Sequence, residues 1–331
     1  MSVRVITTGG TIAQLLGEGE TRHVSGNELM TVLRKSADET GLPDVEVQVE
    51  DLYDLPSTYI GPGEMLEVAE HVANAAADPA VAGIVVTHGT ATMEETIYFV
   101  EIVSGPAKPV VFTGAQRFQQ SLGYDGYRNL ASAISVAASP AAAGAGAVLV
   151  MDGEIHAARD VGEVHPSATG GFQSLAYGPL GRVDSGRVTI RRAPTRDSPV
   201  AGVRRPLARV ELVITYAGMA GDVISAVGGL GVDGLVIAGL TTGAVPAAIV
   251  PAVQDLVERG IVVVVGTRCP AGGVLHRSAL YGGVTGYGPE LDRLGVVLTD
   301  LSPVKARCRL IALLSSDLTA DAVRERMQSA G

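Results

Sequence analysis

The sequence contains few of the residues that mark several common classes of protein. Its 331 residues include no tryptophan, two cysteines and only 4% aromatic residues. Two cysteines are too few for a disulfide framework, so Cys269 and Cys308 are expected to pack as buried apolar side chains. Lysine is also scarce, since it occurs only at positions 35, 108 and 305. A site that depends on a lysine therefore has few candidates.

Net positive charge and long apolar runs are absent as well. The formal net charge is −10, which argues against nucleic acid as a partner. Mean hydropathy is +0.29, but charged residues interrupt every apolar run before the roughly 20 residues of a membrane span. The N-terminus leads directly into a predicted strand without a signal-peptide pattern. We therefore expect a cytoplasmic protein that binds neither nucleic acid nor membrane.

Apolar residues and glycine, by contrast, are abundant and follow an alternating pattern. Hydrophobic residues make up 47% of the chain, and 42 residues are glycine. Short apolar runs alternate with segments of helical spacing, which is typical of a doubly wound parallel sheet. A basic, proline-containing stretch between Gly186 and Pro206 interrupts the alternation. The pattern predicts an α/β fold with a larger, mostly parallel N-terminal domain (1–190), a linker (191–208) and a smaller α/β domain (209–331).

The stretch from Gly83 to Thr96 predicts a ligand-binding strand end. An apolar run at 84–86 is typical of a buried strand, and Thr92 with Glu95 predicts a capping box at the start of a helix. Thr90 is thus expected between a strand and a helix N-terminus. Ligands of open α/β sheets bind at that edge, where free backbone N–H groups favour negative charge. An ordinary βα turn has the same pattern, so spacing alone leaves both interpretations open.

Hydroxyl side chains follow two other predicted strands. Thr11 comes after the pair Gly9-Gly10, and Ser57 with Thr58 follows the strand predicted from residue 45. The glycine spacing matches neither a dinucleotide fingerprint nor a phosphate loop, and no Gly-x-Ser-x-Gly elbow is present. A hydroxyl nucleophile needs a base and oxyanion donors, and turn amides at Gly9, Gly10 and Gly89 are candidate donors. Together these features outline an acyl-transfer site.

One segment is dense in titratable side chains. It runs from Glu154 to Pro166 and holds two histidines and several carboxylates. Histidine and carboxylate ligate zinc, but the spacing matches no known metal pattern. No metal or other cofactor is expected.

Several motifs together resemble the bacterial-type L-asparaginases over essentially the whole chain. They are Thr8-Gly9-Gly10-Thr11-Ile12-Ala13, Thr87-His88-Gly89-Thr90-x-Thr92-Met93-Glu94-Glu95-Thr96, Pro56-Ser57, Gly114-Ala115-x-Arg117, Asp125-Gly126 with Asn129-Leu130, Tyr177-Gly178-Pro179-Leu180-Gly181 and Pro303-x-Lys305-Ala306-Arg307.

The resemblance implies hydrolysis of a small-molecule amide by a homo-oligomer, usually a tetramer of tight dimers. Each active site is then completed by a neighbour's C-terminal domain. The resemblance also implies that Thr11 attacks the amide and forms an acyl-enzyme. Thr90 would work with an Asp and a distant Lys, and Ser57 would hold the substrate α-carboxylate, with Thr58 beside it.

The chain departs from the family pattern at two charged positions. The family's Asp after the second threonine is Ala91 here, and its Lys, four residues after an Arg, is Glu163. None of the three lysines is expected to replace it: Lys108 lies at the wrong end of a predicted strand, and the others lie in a predicted helix and a structural motif. Tyr287 falls near the family's neighbour-supplied Glu.

These departures lead to three hypotheses for function. The first is an asparaginase-like amidohydrolase with a threonine nucleophile that acts on a carboxamide other than free asparagine. Glu163 then serves as a general base for Thr90 or a water, or binds a cationic part of the substrate. The second is a cyclisation, elimination or acyl transfer with Glu163 as acid/base. The third is a non-catalytic binding protein in which Glu163 faces solvent. Retention of all three hydroxyls favours an enzyme.

Overall fold

The computed structural model describes residues 1–16, 21–274 and 284–328. The chain divides into two compact units, Met1–Arg196 and Asp197–Gly331. The point of division lies inside the segment 191–208 that the sequence marks as a linker. Both units are α/β, and the first is the larger.

The first unit contains short and long strands that alternate with helices. The strands are β1 (Ser2–Gly9), β2 (Gln14–Leu16), β3 (Thr21–His23), β4 (Glu46–Leu55), β5 (Val81–Thr87), β6 (Val110–Thr113), β7 (Ala147–Met151), β8 (Glu154–Ala157), β9 (Gly162–Glu163), β10 (Phe172–Gln173), β11 (Gly181–Asp184) and β12 (Arg187–Ile190). The helices are α1 (Gly26–Lys35), α2 (Ala37–Thr40), α3 (Pro62–Ala77), α4 (Met93–Ser104) and α5 (Gly126–Ala138).

Eight of these strands form one sheet in the order β12-β11-β8-β7-β6-β5-β1-β4. The pairs from β7 to β4 are parallel, and those from β12 to β7 are antiparallel. The predicted mostly parallel α/β sheet is therefore confirmed. In register, Thr7 of β1 pairs with Thr87 of β5, and Thr87 pairs with Thr113 of β6. The segments that follow these strands consequently begin side by side at one edge.

Helices cover both faces of the parallel part of this sheet. On one face Val5 and Val85 belong to a buried cluster with Leu33 of α1 and Ile134 of α5. On the other face their neighbours along the strands belong to a cluster with residues of α3 and α4. Because successive strand residues point to opposite faces, strands buried on both sides become almost continuously apolar, which is why the run at 84–86 is a strong strand signal.

The second unit is built around a small parallel sheet. Its strands are β13 (Val210–Ile214), β14 (Gly234–Gly239), β15 (Val262–Thr267) and β16 (Val297–Leu298), in sequential order. Its helices are α6 (Gly221–Gly228), α7 (Val250–Glu258), α8 (Gly288–Arg293), α9 (Pro303–Leu314) and α10 (Ala320–Gln328). Side chains of α6 and α7 form a buried cluster with the sheet, and α9 packs against β14.

The segment after Ala13 contains β2 and β3, which pair as an antiparallel hairpin; residues 17–20 of this segment lie outside the described part of the chain. The prediction is wrong for one of the two cysteines. Cys308 is buried as predicted, but Cys269 is exposed at the end of β15, where the chain leaves the core. None of the described helices is both long and apolar enough to cross a bilayer.

Candidate active site

Three turns meet at the carboxyl edge of the first sheet, and their backbones are in close contact. A methyl carbon built on Gly10 would lie 2.5 Å from the nitrogen of Gly89, and one built on Gly89 would lie 2.6 Å from Ser57 Oγ. A methyl carbon built on Gly9 would lie 2.5 Å from the nitrogen of Leu55. The turns after β1, β5 and β4 therefore pack together without intervening side chains.

Two adjacent glycines make the first of these turns possible. Gly9 and Gly10 have φ angles of 88° and 81°, in the left-handed region that side chains with a Cβ rarely adopt. Thr11 follows directly and begins a 3-10 turn over Thr11–Ala13. Thr11 therefore directly follows a turn whose two residues, Gly9 and Gly10, have no side chains.

Three of the hydroxyl groups at this edge belong to Thr11, Ser57 and Thr90. Thr11 and Thr90 are half-buried, and Ser57 is buried. Within the described ranges, none of these three hydroxyls hydrogen-bonds another residue. Thr58 and Ala91, the two other residues expected here, are exposed. All three hydroxyl groups are therefore available to form hydrogen bonds with a ligand at this edge.

Thr92 differs from its predicted role. Its hydroxyl donates a hydrogen bond to the carbonyl oxygen of Ser57 at 2.8 Å and makes no capping bond to α4. The predicted capping box is therefore wrong. A 3-10 turn over Thr90–Thr92 precedes α4, and Thr92 has φ −126° and ψ 13°, which is not the extended geometry of a helix N-cap. Thr92 instead ties the turn of Thr90 to the turn of Ser57.

His88 lies beneath the same turn as a neutral imidazole. Its side chain is fully buried, and burial lowers the pKa of His88 to about 4 because a charged ring would lose its hydration. Nδ1 lies 2.7 Å from the carbonyl oxygen of Gly89. Since a carbonyl only accepts, Nδ1 carries the proton and donates it. This bond fixes the peptide group that precedes Thr90.

Glu163 is the end of the short strand β9, and its carboxylate has one neutral partner. Gln116 Nε2 donates to Glu163 Oε1 at 2.9 Å, and Glu163 is half-buried. Among the described residues Glu163 forms no ion pair within 4.0 Å. Its second carboxylate oxygen, Oε2, accepts no hydrogen bond from the described residues.

Packing on two sides brings residues next to Glu163 and Gln116 close to the turn of Thr90. A methyl carbon built on Gly162 would lie 2.9 Å from Glu94 Oε2, in the first turn of α4. On the other side, a methyl carbon built on Gly114 would lie 2.5 Å from the carbonyl oxygen of His88. Gly114 leads directly to Gln116, which holds Glu163. The segments before and after Thr90 are therefore both packed against residues next to the Gln116–Glu163 pair.

The loop that carries Gln116 is itself anchored. Asp125, just before α5, accepts hydrogen bonds from the backbone nitrogens of Gln116 and Arg117, each at 3.1 Å. Asn129 donates to Asp125 Oδ2 and to the carbonyl oxygen of Gly114, each at 3.0 Å. These bonds give Gln116 a defined backbone position, which in turn defines where its side chain can hold Glu163.

Two other predictions concern Tyr287 and the segment Glu154–Pro166. Tyr287 belongs to the second unit, where it is half-buried and directly precedes α8. In the titratable segment Glu154–Pro166, His156 is buried, its Nδ1 lies 3.0 Å from Ser174 Oγ, and burial lowers its pKa. Across the described residues, no group of three or more His, Cys, Asp and Glu side chains is arranged to hold a metal ion.

Three residues of the site were not identified as such in the sequence. Gln116 stands at the unmatched position of Gly114-Ala115-x-Arg117. The spacing of Thr92 predicts a helix cap, and His88 is only one residue of a longer motif. The sequence contains one signal for these three residues, which is their position next to a predicted strand end that carries a candidate side chain. Their partners depend on packing that sequence spacing does not describe.

The sequence and the structure both match known asparaginases. The family model described as "Asparaginase, N-terminal" matches residues 2–196, and "Glutaminase/Asparaginase C-terminal domain" matches residues 209–327. An L-asparaginase of Bacillus licheniformis is 36% identical over 320 residues, with 95% of each chain covered. A glutaminase-asparaginase of Pseudomonas aeruginosa is 30% identical over 331 residues, covering 97% of this chain and 87% of that protein.

Among solved structures, a probable cytoplasmic L-asparaginase from Campylobacter jejuni has a TM-score of 0.85 at 26% sequence identity and covers 98% of both chains. The matches extend over both units and include the edge where the three turns meet. The chain therefore belongs to the asparaginase family and is a hydrolase that acts on amide C–N bonds.

Proposed function

We propose that the protein hydrolyses a small carboxamide other than free asparagine, with Thr11 as nucleophile. Thr11 Oγ attacks the amide carbon, and its proton passes to the leaving nitrogen. The C–N bond then breaks, ammonia leaves, and the acyl group stays on Thr11 as an ester. Water attacks this ester, releases the carboxylic acid and returns the proton to Thr11.

The observation that carries this proposal is the contact of the three turns. It brings the chain next to Thr11 together with the turns of Ser57 and Thr90, whose hydroxyls are uncommitted. The backbone N–H groups of Gly10 and Gly89 donate to no described acceptor. Amides of this kind, fixed before the reaction, are suited to stabilise an oxyanion. Such donors are worth roughly 3 kcal/mol of barrier each in other acyl-transfer enzymes.

A substrate other than asparagine is proposed from the charges beside Thr90. Ala91 offers a methyl group where a carboxylate would hold an ammonium group, and Glu163 adds a negative charge. Two unit charges 4 Å apart interact by about 4 kcal/mol at an effective dielectric constant of 20. The interaction energy changed by reversing the sign of one charge is therefore large enough to change which substrate is bound.

A second candidate function is a non-hydrolytic reaction with Glu163 as acid/base, for example a cyclisation or an elimination. It is favoured by the uncommitted second oxygen of Glu163, since a general base needs a free lone pair within reach of the proton. In that reaction Thr11 would not be acylated, whereas Glu163 would be essential.

We further propose a cytoplasmic homo-oligomer, a dimer or a tetramer, in which a neighbouring subunit contributes Tyr287 to the site. The compartment rests on the description of the Campylobacter jejuni protein as a "probable cytoplasmic L-asparaginase". Sedimentation of the purified protein tests the assembly, and Tyr287→Phe tests the contribution of the phenol.

The decisive experiment is a turnover assay with product identification. Ammonia release is measured for asparagine, glutamine and a panel of primary amides, and intact-protein mass spectrometry is used to trap the acyl-enzyme. We expect low asparagine turnover, turnover of another amide, and an acyl adduct that Thr11→Ala abolishes. Asparagine turnover at the level of its relatives would contradict the substrate proposal. Activity that survives Thr11→Ala but not Glu163→Gln would favour the second candidate, and ligand binding without any turnover would indicate a binding protein.

A further inference from the structure

We infer that Gln116 and Glu163 form a cation-binding subsite, and that the substrate is a carboxamide with an ammonium or guanidinium group at some distance from the amide. The inference rests on the proposed function, because it assigns the substrate class of the same site. It concerns which part of a ligand this pair recognises, whichever hydroxyl reacts.

Besides the second N–H of the Gln116 amide, the pair presents two unused hydrogen-bond acceptors and one negative charge to a ligand. Gln116 uses its amide nitrogen on Glu163 Oε1, and its own carbonyl oxygen Oε1 accepts no hydrogen bond from the described residues. The opposite orientation of the Gln116 amide would place two acceptor oxygens in contact, so the chemistry fixes the assignment. Gln116 Oε1 and Glu163 Oε2 are therefore two free acceptors on adjacent side chains that carry one net negative charge.

A carboxylate that has lost part of its hydration is stabilised by a charged partner or by hydrogen bonds. Glu163 has only the neutral amide of Gln116 among the described residues. Glu94, whose carboxylate lies beside Gly162, carries a negative rather than a positive charge. Arg117, next to Gln116, turns away and donates to the carbonyl oxygens of Leu122 and Gly123.

These features match a donor-rich cation. An ammonium group has three N–H donors and a guanidinium group has five, and neither has an acceptor. Either group can donate to Gln116 Oε1 and to Glu163 Oε2 at once, while its charge offsets that of the carboxylate. An anionic group would meet the like charge of Glu163, which the one remaining neutral N–H of Gln116 does not offset, so the subsite also rejects substrates that carry a carboxylate at this place.

The first experiment measures binding without turnover. Primary amides that carry a terminal ammonium group on two to five methylenes are compared with methyl-terminated and carboxylate-terminated amides of equal length. Binding to the Thr11→Ala protein is measured by calorimetry at low ionic strength, with Thr11→Val as a second variant of closer shape. For the best chain length, we expect the ammonium compound to bind about 10- to 100-fold more tightly than the methyl compound, as expected for hydrogen bonds to charged groups.

Variants of the pair then test the assignment. Glu163→Gln should reduce the preference for the ammonium compound to about threefold or less, and Glu163→Lys should favour the carboxylate compound instead. The chain offers a matched control, because Gln254 Nε2 donates to Glu258 Oε1 at 2.8 Å on the exposed face of α7. Glu258→Gln removes a similar charge from a similar pair and should leave the preference within about twofold.

The outcomes separate this inference from the proposed function. If the ammonium compounds bind preferentially but the native protein hydrolyses none of the amides, the subsite stands and the proposed function fails. If neutral amides are hydrolysed without preference for the ammonium compounds at any length, the function stands and the subsite is refuted. A preference that persists unchanged in Glu163→Gln also refutes the subsite.

Discussion

Gly89→Ala is the most direct test of the contact between the turns. The added methyl carbon would lie 2.6 Å from Ser57 Oγ, 2.8 Å from Ser57 Cβ and 3.2 Å from the Ser57 nitrogen. Rotation of the serine side chain moves Oγ but leaves Cβ and the nitrogen in place. The contact with Ser57 Cβ, at 2.8 Å, is about 0.6 Å short of the 3.4 Å at which ordinary contacts begin, so the two turns must separate by a comparable distance.

That separation changes activity more than stability. Gly89 has φ −69° and ψ 146°, which alanine adopts without strain, so the cost comes from overpacking and should be about 1–3 kcal/mol. A displacement of reacting groups by about 1 Å can lower the rate by roughly 100-fold. We therefore expect kcat/KM for the best amide to fall by about 100-fold while the protein remains folded.

The assay pairs ammonia release with thermal unfolding, and Gly63→Ala is the control. Gly63 lies in the first turn of α3, and a methyl carbon built there meets nothing within 4 Å. Alanine should be neutral or should stabilise the helix there by up to about 1 kcal/mol. If Gly89→Ala retains kcat/KM within threefold at an unchanged Tm, the close packing of these turns does not govern the site.

Three further predictions concern side chains around the site and in the core. Thr92→Val, which removes the bond to the Ser57 carbonyl, should raise KM several-fold more than it lowers kcat, and Thr92→Ser should restore KM; equal loss of both constants in both variants would contradict a positioning role. Because burial lowers the pKa of His88 from 6.5 to about 4, the unfolded chain binds the proton first as the pH falls, so His88 removes about 3 kcal/mol of stability between pH 6.5 and 4. His88→Asn, which keeps an N–H donor, should flatten the urea-unfolding profile by that amount, and an unchanged pH dependence would show that His88 is not neutral. Glu101, which is buried, pairs with Arg196 Nε at 2.5 Å, so Glu101→Gln should cost roughly 2–4 kcal/mol in urea unfolding, against less than about 0.5 kcal/mol for Asp321→Asn in the exposed pair with Arg324.

The sheet of the first unit could be predicted because its signals are local. Each of β5, β6 and β7 contains a run of apolar residues followed by a polar residue, and such runs can be recognised without knowledge of the partner strand. The hairpin of β2 and β3 could not be found in this way, since its strands are three residues long and half-exposed or polar. Its pairing depends on the neighbouring turn rather than on an apolar period.

In the candidate site, likewise, the residues that follow predicted strands could be predicted, and the residues positioned by long-range packing could not. Thr11, Ser57 and Thr90 could be selected because each follows a predicted strand, and parallel strands share an edge. The roles of Thr92 and Gln116 depend on which atoms lie within 3 Å of them, on the neighbouring turn and on the loop anchored by Asp125. The sequence shows that both residues are present, but long-range packing decides whether a threonine caps its own helix or bonds a distant carbonyl.

The glycine-to-glycine approach of the first two turns has a consequence for how such enzymes change specificity. Main-chain atoms, rather than charged side chains, hold the separation between Thr11 and Thr90. We therefore expect that one or two substitutions can change the charge at this edge while the spacing of the two turns stays the same. New amide specificities should therefore be obtained more readily by exchanging the residues at 91, 116 and 163 than by altering either glycine.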